Sequence, residues 1–325
     1  MKIKAIRFDK TGGPEVLDYR DHDLPAPGAG EVRVRHTAIG INFIEIYFRT
    51  GLYPTTLPSG IGTEAAGVVE ELGEGVTGLK PGDRVGYSGG PQGAYAEASN
   101  VPAAKLVKLP DAISDETAAA SMLKGFTAQY LLKRVHAVQK GETILFHAAA
   151  GGVGQIACQW ARHLGARVIG TTSSPGKVAL AKANGCDEVL LLSDPDWVKK
   201  VRDLSGGEGL PVVYDSVGKD TFEQSLNCLK VRGLMVTYGN SSGAVPPFSP
   251  ALLAGKGSLY LTRPTLTSFT RTPQELQETA DDLFAVIQSG AVKVAINQRF
   301  ALKDAAQAQI ALASRQTTGA TVLIP

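Results

Sequence analysis

Ala149, Gly151 and Gly154 stand at the spacing G-x-G-x-x-G, with alanine in the first place. Residues with little or no side chain let the main chain come close to a phosphate. Backbone N–H groups and the positive end of a following helix then hold the anion. Alone, the string fits a tight strand-to-helix turn equally well, and its surroundings select between the two readings. The apolar run TILFHA precedes it. Behind it, Val153, Ile156, Ala157, Trp160, Ala161 and Leu164 recur at helical spacing and predict a helix over about 152–164. A second strand, ARVIGTT, ends ~20 residues on, as a dinucleotide-binding unit requires.

That second strand runs into Thr171, Thr172, Ser173 and Ser174. A carboxylate there would bond the 2′-hydroxyl of an adenosine ribose and repel a 2′-phosphate. The chain has no Asp or Glu between Glu142 and Asp187. It offers the hydroxyls of Ser173 and Ser174 and the cation of Lys177, donors that suit a phosphate. An ordinary solvated helix start would use the same residues, with Arg162 and Arg167 as surface charges. We read the pattern as a site for NADPH.

Positioning these residues takes a parallel sheet. Strands are predicted to begin near residues 143, 167, 187, 212, 233 and 258, alternating mostly with helices. That is the pattern of an α/β fold with a doubly wound six-stranded parallel sheet of Rossmann type. The first ~110 residues differ: KIKAIRF, GEVRVRHTAIGIN, GTEAAGVVEELG and DRVGY are short strand-like runs cut by Gly and Pro, a compact and largely antiparallel β domain. Helices are expected near 115–124 and 126–136, and again over PQELQETADDLFAVIQSG and KDAAQAQIALASR. The tail after Pro264 is too small for its own core and is expected to complete the first domain. The predicted division is therefore 1–125 with 264–325, and 126–263.

Composition narrows the function classes. The 325 residues are 43% hydrophobic and 20% charged, with a formal net charge of +2 and no long run of one sign, which argues against a nucleic-acid surface. No apolar stretch reaches the roughly 18 residues that span a bilayer, and MKIKAIRFDK reads as a charged strand rather than a signal peptide. Cys158, Cys186 and Cys228 form no C-x-x-C pair, so a cytoplasmic location is the simplest expectation. His22, His36, His136, His147 and His163 show no metal-ligand spacing. The apolar SLYLT would leave an open sheet edge, and a homodimer pairing two such edges is expected to cover it.

GTEAAGVVEELGEGV, with Gly62, Glu64, Gly67, Gly73 and Val76, resembles the signature of the medium-chain dehydrogenase/reductase superfamily. GETILFHAAAGGVGQIACQWAR resembles the quinone oxidoreductase/zeta-crystallin signature within it. GINFIEIYFRTGLYP, VVYDSVG, GNSSG, KGSLYLTRP and VLIP extend the resemblance over essentially the whole chain. It implies a GroES-like β-rich catalytic domain beside the Rossmann domain, with the active site in a cleft between them. Zinc-dependent members carry a histidine where this chain has Thr63, a ligand cysteine near Asn42, and a four-cysteine lobe that is missing here. The resemblance therefore implies chemistry without metal on an acceptor already electrophilic: reduction of quinones by NADPH. The alternative is NADPH-dependent reduction of the C=C bond of activated enals or enones. A cofactor-binding protein without turnover is a more distant reading.

By the same resemblance, Asn42, Phe43 and Ile44 approach the nicotinamide end, Tyr130 contacts the coenzyme, and Gly152 and Val153 lie against the pyrophosphate. Ser216 and Val217 flank the adenosine. Asn240, Ser241 and Arg263 follow the later strands, and Arg315 reaches back from the last helix. Asn42 also suits a simple turn, Tyr130 a helix core, and Arg263 a surface ion pair. Tyr47 and Tyr53 are candidates for the quinone pocket, where a phenol can donate to the forming oxyanion, or for plain apolar packing. Close relatives carry a tyrosine where this chain has Leu192.

Overall fold

Beyond Gly141 the apolar runs become the buried middle of a parallel sheet. The computed structural model describes residues 1–325. The chain folds as two compact units, Met1–Phe126 with Thr270–Gln288 and Val294–Pro325, and Thr127–Phe269 with Ser289–Lys293.

In the second unit the sheet order is Glu188–Leu191, Arg167–Thr172, Thr143–Phe146, Leu210–Asp215, Leu229–Thr237, Tyr260–Thr262. Every neighbouring pair is parallel. The strand order reverses between Thr143–Phe146 and Leu210–Asp215, which is the doubly wound arrangement and marks where ligands bind in such sheets. Ile144, Leu145, Val168, Ile169, Val212 and Val213 are fully buried, as strands covered on both faces must be. Trp197, Val201, Phe222 and Met235 pack against them. Burying each such side chain contributes about 1.5–3 kcal/mol.

In the first unit, a seven-stranded sheet runs Ile296–Ala301, Ala320–Ile324, Glu31–Ile41, Glu64–Leu72, Arg84–Ser88, Val107–Lys108, with Ala98–Pro102 also on Glu31–Ile41. Leu323 pairs with Ile39, so the last strand of the chain closes onto the long third one. A three-stranded sheet, Asp18–Asp23, Lys2–Phe8 and Ser59–Gly60, lies in the same unit. Ile6, Phe8, Ile39, Ile41, Tyr87, Tyr95 and Leu323 form its principal core.

Three elements differ from the sequence reading. Phe43–Thr50 is a helix where the sequence pattern predicts none. The pair expected near 115–124 and 126–136 is one helix, Asp115–Gln129, continued as a π-helical segment, Tyr130–Val135. Gly125 does not break it: a β-carbon there would lie 2.4 Å from Leu283 Cδ1, so the glycine is a packing site. A further short helix, Ala251–Gly255, is also absent from the sequence reading.

Candidate functional site

The glycine turn follows the strand Thr143–Phe146, and the helix Gly152–His163 leaves it with Gly151 as N-cap. Ala148 is held at φ 51°, a left-handed conformation that L-residues avoid. Its carbonyl accepts Gly151 N–H at 2.8 Å. A β-carbon on Gly154 would lie 2.4 Å from Ala148 O and 2.7 Å from Ala149 Cα. Glycine is therefore obligatory where the helix crosses the strand end. The first helical turn carries no acidic residue and the cap no side-chain bond, so its N–H groups face no competing anion. The turn fits a pyrophosphate.

Ser173 is exposed and Ser174 half-buried, just past Arg167–Thr172. Ser174 caps the 3-10 turn Pro175–Lys177, and Lys177 N–H donates to Ser174 O at 3.2 Å. Asp187, the next carboxylate, accepts Val168 N–H at 2.7 Å and so is committed to the fold. These residues fit a 2′-phosphate. Leu192 N–H donates to Thr172 O at 3.0 Å, while its side chain packs on the sheet core.

The carboxyl ends of three central strands are tied by one buried network. Asp215 Oδ1 accepts from Val217 N–H (2.7 Å) and Gly218 N–H (3.1 Å). Asp215 Oδ2 accepts from the hydroxyls of Thr221 (2.7 Å) and Ser225 (2.9 Å). Ser225 thus gives its proton to Asp215 and accepts from His147 Nε2 at 2.9 Å, which leaves Nδ1 to accept from Thr171 at 2.8 Å. Burial holds the imidazole below its ordinary pKa, against the pull of the Asp215 charge. The loops after Leu210–Asp215 and Leu229–Thr237 interlock: Ser241 N–H donates to Ser216 O (3.1 Å) and Ser242 N–H to Val217 O (2.9 Å). Arg263 Nη1 donates to Gly239 O at 3.0 Å. With the Asn240 amide turned so that both its ends are satisfied, its oxygen accepts from Arg263 Nη2 at 3.2 Å. Ser216, Val217, Asn240, Ser241 and Arg263 therefore form one rigid group. Tyr130 is buried and stacked on Phe269, centroids 4.7 Å apart.

In the first unit, Asn42 is the N-cap of Phe43–Thr50 and nearly buried. Its N–H donates to Glu45 Oε2 (2.6 Å), its Nδ2 to Glu64 Oε2 (2.7 Å), and its Oδ1 accepts from Lys124 Nζ (2.7 Å). Lys124 Nζ lies 3.6 Å from Glu64 Oε2, and Leu123 N–H donates to Glu64 Oε1 at 2.6 Å. Burial and the Glu64 charge push the Glu45 carboxyl up to about 8, with Lys124 pulling the other way. Burial also raises Glu64, against Lys124 and Asn42. Sequence reasoning missed Glu45, Glu64 and Lys124 as site residues. The available signal was a single charge inside each of the apolar stretches GTEAAGVV and AAASMLKGF.

Tyr47 and Tyr53 meet edge-on, centroids 5.1 Å apart, in a cluster with Phe43 and Phe48. Phe43 and Ile44 are half-buried. Arg315 belongs to the first unit, just past the helix Ala305–Ala313, exposed and at φ 60°. No group of three or more His, Cys, Asp or Glu is arranged to hold a metal ion.

Residues 28–111 match the family model described as "Alcohol dehydrogenase GroES-like domain", and residues 152–285 the one described as "Zinc-binding dehydrogenase". The chain is 55% identical over 323 residues to a quinone oxidoreductase of Pseudomonas aeruginosa, covering 99% of each chain. It is 42% identical over 330 residues to a 2-haloacrylate reductase of a Burkholderia species, again covering 99% of each. The solved structure of Escherichia coli quinone oxidoreductase complexed with NADPH superposes with a TM-score of 0.98 at 49% identity, covering 99% of this chain and 100% of that one. With its Rossmann-type sheet and GroES-like domain, the chain belongs to the quinone oxidoreductase family of the medium-chain dehydrogenase/reductase superfamily.

Proposed function

We propose that this protein reduces quinones with NADPH, without a metal ion. One observation carries the coenzyme half of this reading. The strand Arg167–Thr172 runs into two serine hydroxyls and a lysine, and no Asp or Glu stands between Glu142 and Asp187. The quinone half rests on the full-length likeness to relatives named for that activity.

Gly152, Val153 and Gly154 would hold the pyrophosphate through backbone N–H groups, with Gly151 as the close-approaching N-cap beside it. Ser173, Ser174 and Lys177 would hold the 2′-phosphate. Ser216 and Val217 would flank the adenosine, with Tyr130, Asn240, Ser241, Arg263 and Arg315 completing the coenzyme contacts. Asn42, Phe43 and Ile44 would set the nicotinamide end. Bound NADPH supplies the reducing equivalents. Tyr47 and Tyr53 would line the acceptor pocket, and a phenol hydroxyl donates to the oxyanion as charge develops. Neutral Asn42 and Thr63 stand where zinc-dependent members carry ligands, and the neighbouring Glu64 carboxyl is already engaged by Lys124. That donor set suits a metal-free enzyme. A quinone tolerates this, because its reduction gives a delocalised phenolate rather than a bare alkoxide.

The 2-haloacrylate reductase relative favours a second reading, reduction of an activated C=C bond. Steady-state oxidation of NADPH with 1,4-benzoquinone and with a cyclic enone separates them. We expect turnover with the quinone to exceed that with the enone; the reverse order would install the second reading. We propose in addition a homodimer. Tyr260–Thr262 is an edge strand, and Tyr260 and Val231 are 61% and 68% exposed beside it. A ~34 kDa species alone in sedimentation would reject it. Three buried free cysteines suit a cytoplasmic enzyme, and no helix is long and apolar enough to cross a membrane.

A further inference from the structure

We propose that Lys124 and Glu64 are positioning residues for the nicotinamide end of the coenzyme: together they dictate which end of the Asn42 amide is oxygen and which is nitrogen. This rests on the reading that Asn42 faces that end.

A carboxamide is close to symmetric in shape, and only its partners decide its orientation. Here the partners are a lysine and a glutamate. Lys124 Nζ has protons to give and no lone pair, and it lies 2.7 Å from Asn42 Oδ1. Glu64 Oε2, 3.6 Å from that ammonium, accepts at 2.7 Å from Asn42 Nδ2. Turning the amide over would set its NH2 group against the ammonium and its oxygen against the carboxylate. Charge-assisted bonds are roughly twice as strong as neutral ones, so that arrangement is closed. The capping box also sets the Glu45 backbone N–H on the Asn42 side chain, so one Nδ2–H remains, in a fixed place, for a ligand.

The surroundings are shaped for this pair. A β-carbon on Gly40 would lie 2.2 Å from Glu64 Oε2 and 2.3 Å from Ala119 O, so glycine makes room for the carboxylate. Leu123 N–H anchors the other oxygen of Glu64 at 2.6 Å. Glu45 fixes the Asn42 backbone from the opposite side at 2.6 Å. Glu64 is fully buried and Lys124 is 5% exposed. A buried ion pair adds little net stability over a well-packed apolar pair. Its consequence here is orientation.

The test is the double substitution Lys124→Met with Glu64→Gln. It removes both charges together, so no lone buried ion is left. The new carboxamide in place of the Glu64 carboxylate can keep Leu123 N–H on its oxygen and turn its NH2 toward Asn42, which makes the Asn42 amide flip. Binding is measured by titration with NADPH and with 2′,5′-ADP, which lacks the nicotinamide, alongside kcat and KM. We expect 2′,5′-ADP to bind unchanged, NADPH to bind about 10-fold more weakly, and kcat to fall at least about 10-fold. Equal weakening of both ligands would mean a merely structural role and overturn the proposal. NADPH affinity and kcat within about 2-fold of the parent would overturn it too. Asn42→Ala then tells the two failures apart: if it loses activity, only the Lys124–Glu64 role is wrong, and if it is silent, the placement of Asn42 is wrong as well. Should the double variant fail to fold, Lys124→Gln with Glu64→Gln frees the amide at nearly constant volume and is held to the same outcomes.

Discussion

Ala148 O stands 2.4 Å from where a β-carbon of Gly154 would be. The helix Gly152–His163 can start under the strand end only because that atom is missing. Gly154→Ala must push the helix away or twist a backbone already at φ 51°. We expect it to destabilise the protein by about 1–3 kcal/mol and to weaken NADPH binding at least about 10-fold. Thermal unfolding and coenzyme titration of the variant measure both. An unshifted melting curve would mean the turn has slack that the geometry denies.

Lys177 and Ser174 make a prediction about selectivity. Lys177→Ala should weaken NADPH by about 10-fold and leave NADH within about 2-fold, because only one of them carries the 2′-phosphate. Ser174→Asp should go further and reverse the preference, since a carboxylate repels the phosphate and bonds a 2′-hydroxyl. Dissociation constants for the two coenzymes, measured side by side, decide it. Parallel losses for both would relocate the 2′-phosphate site.

Asp215 accepts four hydrogen bonds in a fully buried place. Asparagine has one acceptor end and would turn an NH2 group on either the turn amides or the two hydroxyls. We expect Asp215→Asn to cost about 2–4 kcal/mol. The disturbance passes to Val217 N–H and so to the interlocked loops, and KM for NADPH should rise with it. Chemical denaturation and steady-state kinetics give the two numbers.

Glu45 makes stability depend on pH. Its carboxyl titrates at about 8 in the fold against an ordinary value of 4.5. Between these values the folded protein holds a proton that the unfolded chain has lost. The stabilisation is complete below about 4.5 and is lost as pH rises through about 8, at no more than ~1.4 kcal/mol per pH unit. His36 acts oppositely: burial lowers it from 6.5 to about 4, so its contribution is lost as pH falls across that window. The two oppose each other from about 4.5 to 6.5, and His36 no longer offsets Glu45 above that. Between pH 6.5 and 8 we expect the parent to lose about 1–2 kcal/mol more than Glu45→Gln does. Denaturant midpoints at the two pH values test it, and identical slopes would refute it.

What the chain reveals on reading depends on how local the information is. The turn Ala149–Gly154 and its strands are legible because continuous apolar runs and a period of 3.6 residues sit next to each other there. The helix Phe43–Thr50 is not, because Phe43, Ile44, Ile46, Tyr47 and Phe48 are residues that favour strands. Its one local sign is Asn42 followed three residues on by Glu45, a capping pair. Gly125 misleads in the other direction: it looks like a helix stop, and the reason for it is Leu283, far along the chain. The same distance hides the Lys124–Glu64 pair, which only the folded sheet and helix bring together. Tyr130 can be read either as a coenzyme contact or as core, and its stacking on Phe269 is invisible without the fold.

Fluorescence titration of the unliganded protein with NADPH and with NADH, in the same buffer, tests the account most directly. Hydroxyls and a lysine at Ser173, Ser174 and Lys177, with no carboxylate in the chain between Glu142 and Asp187, predict binding of NADPH at least about 10-fold tighter. Equal dissociation constants, or tighter binding of NADH, would contradict it.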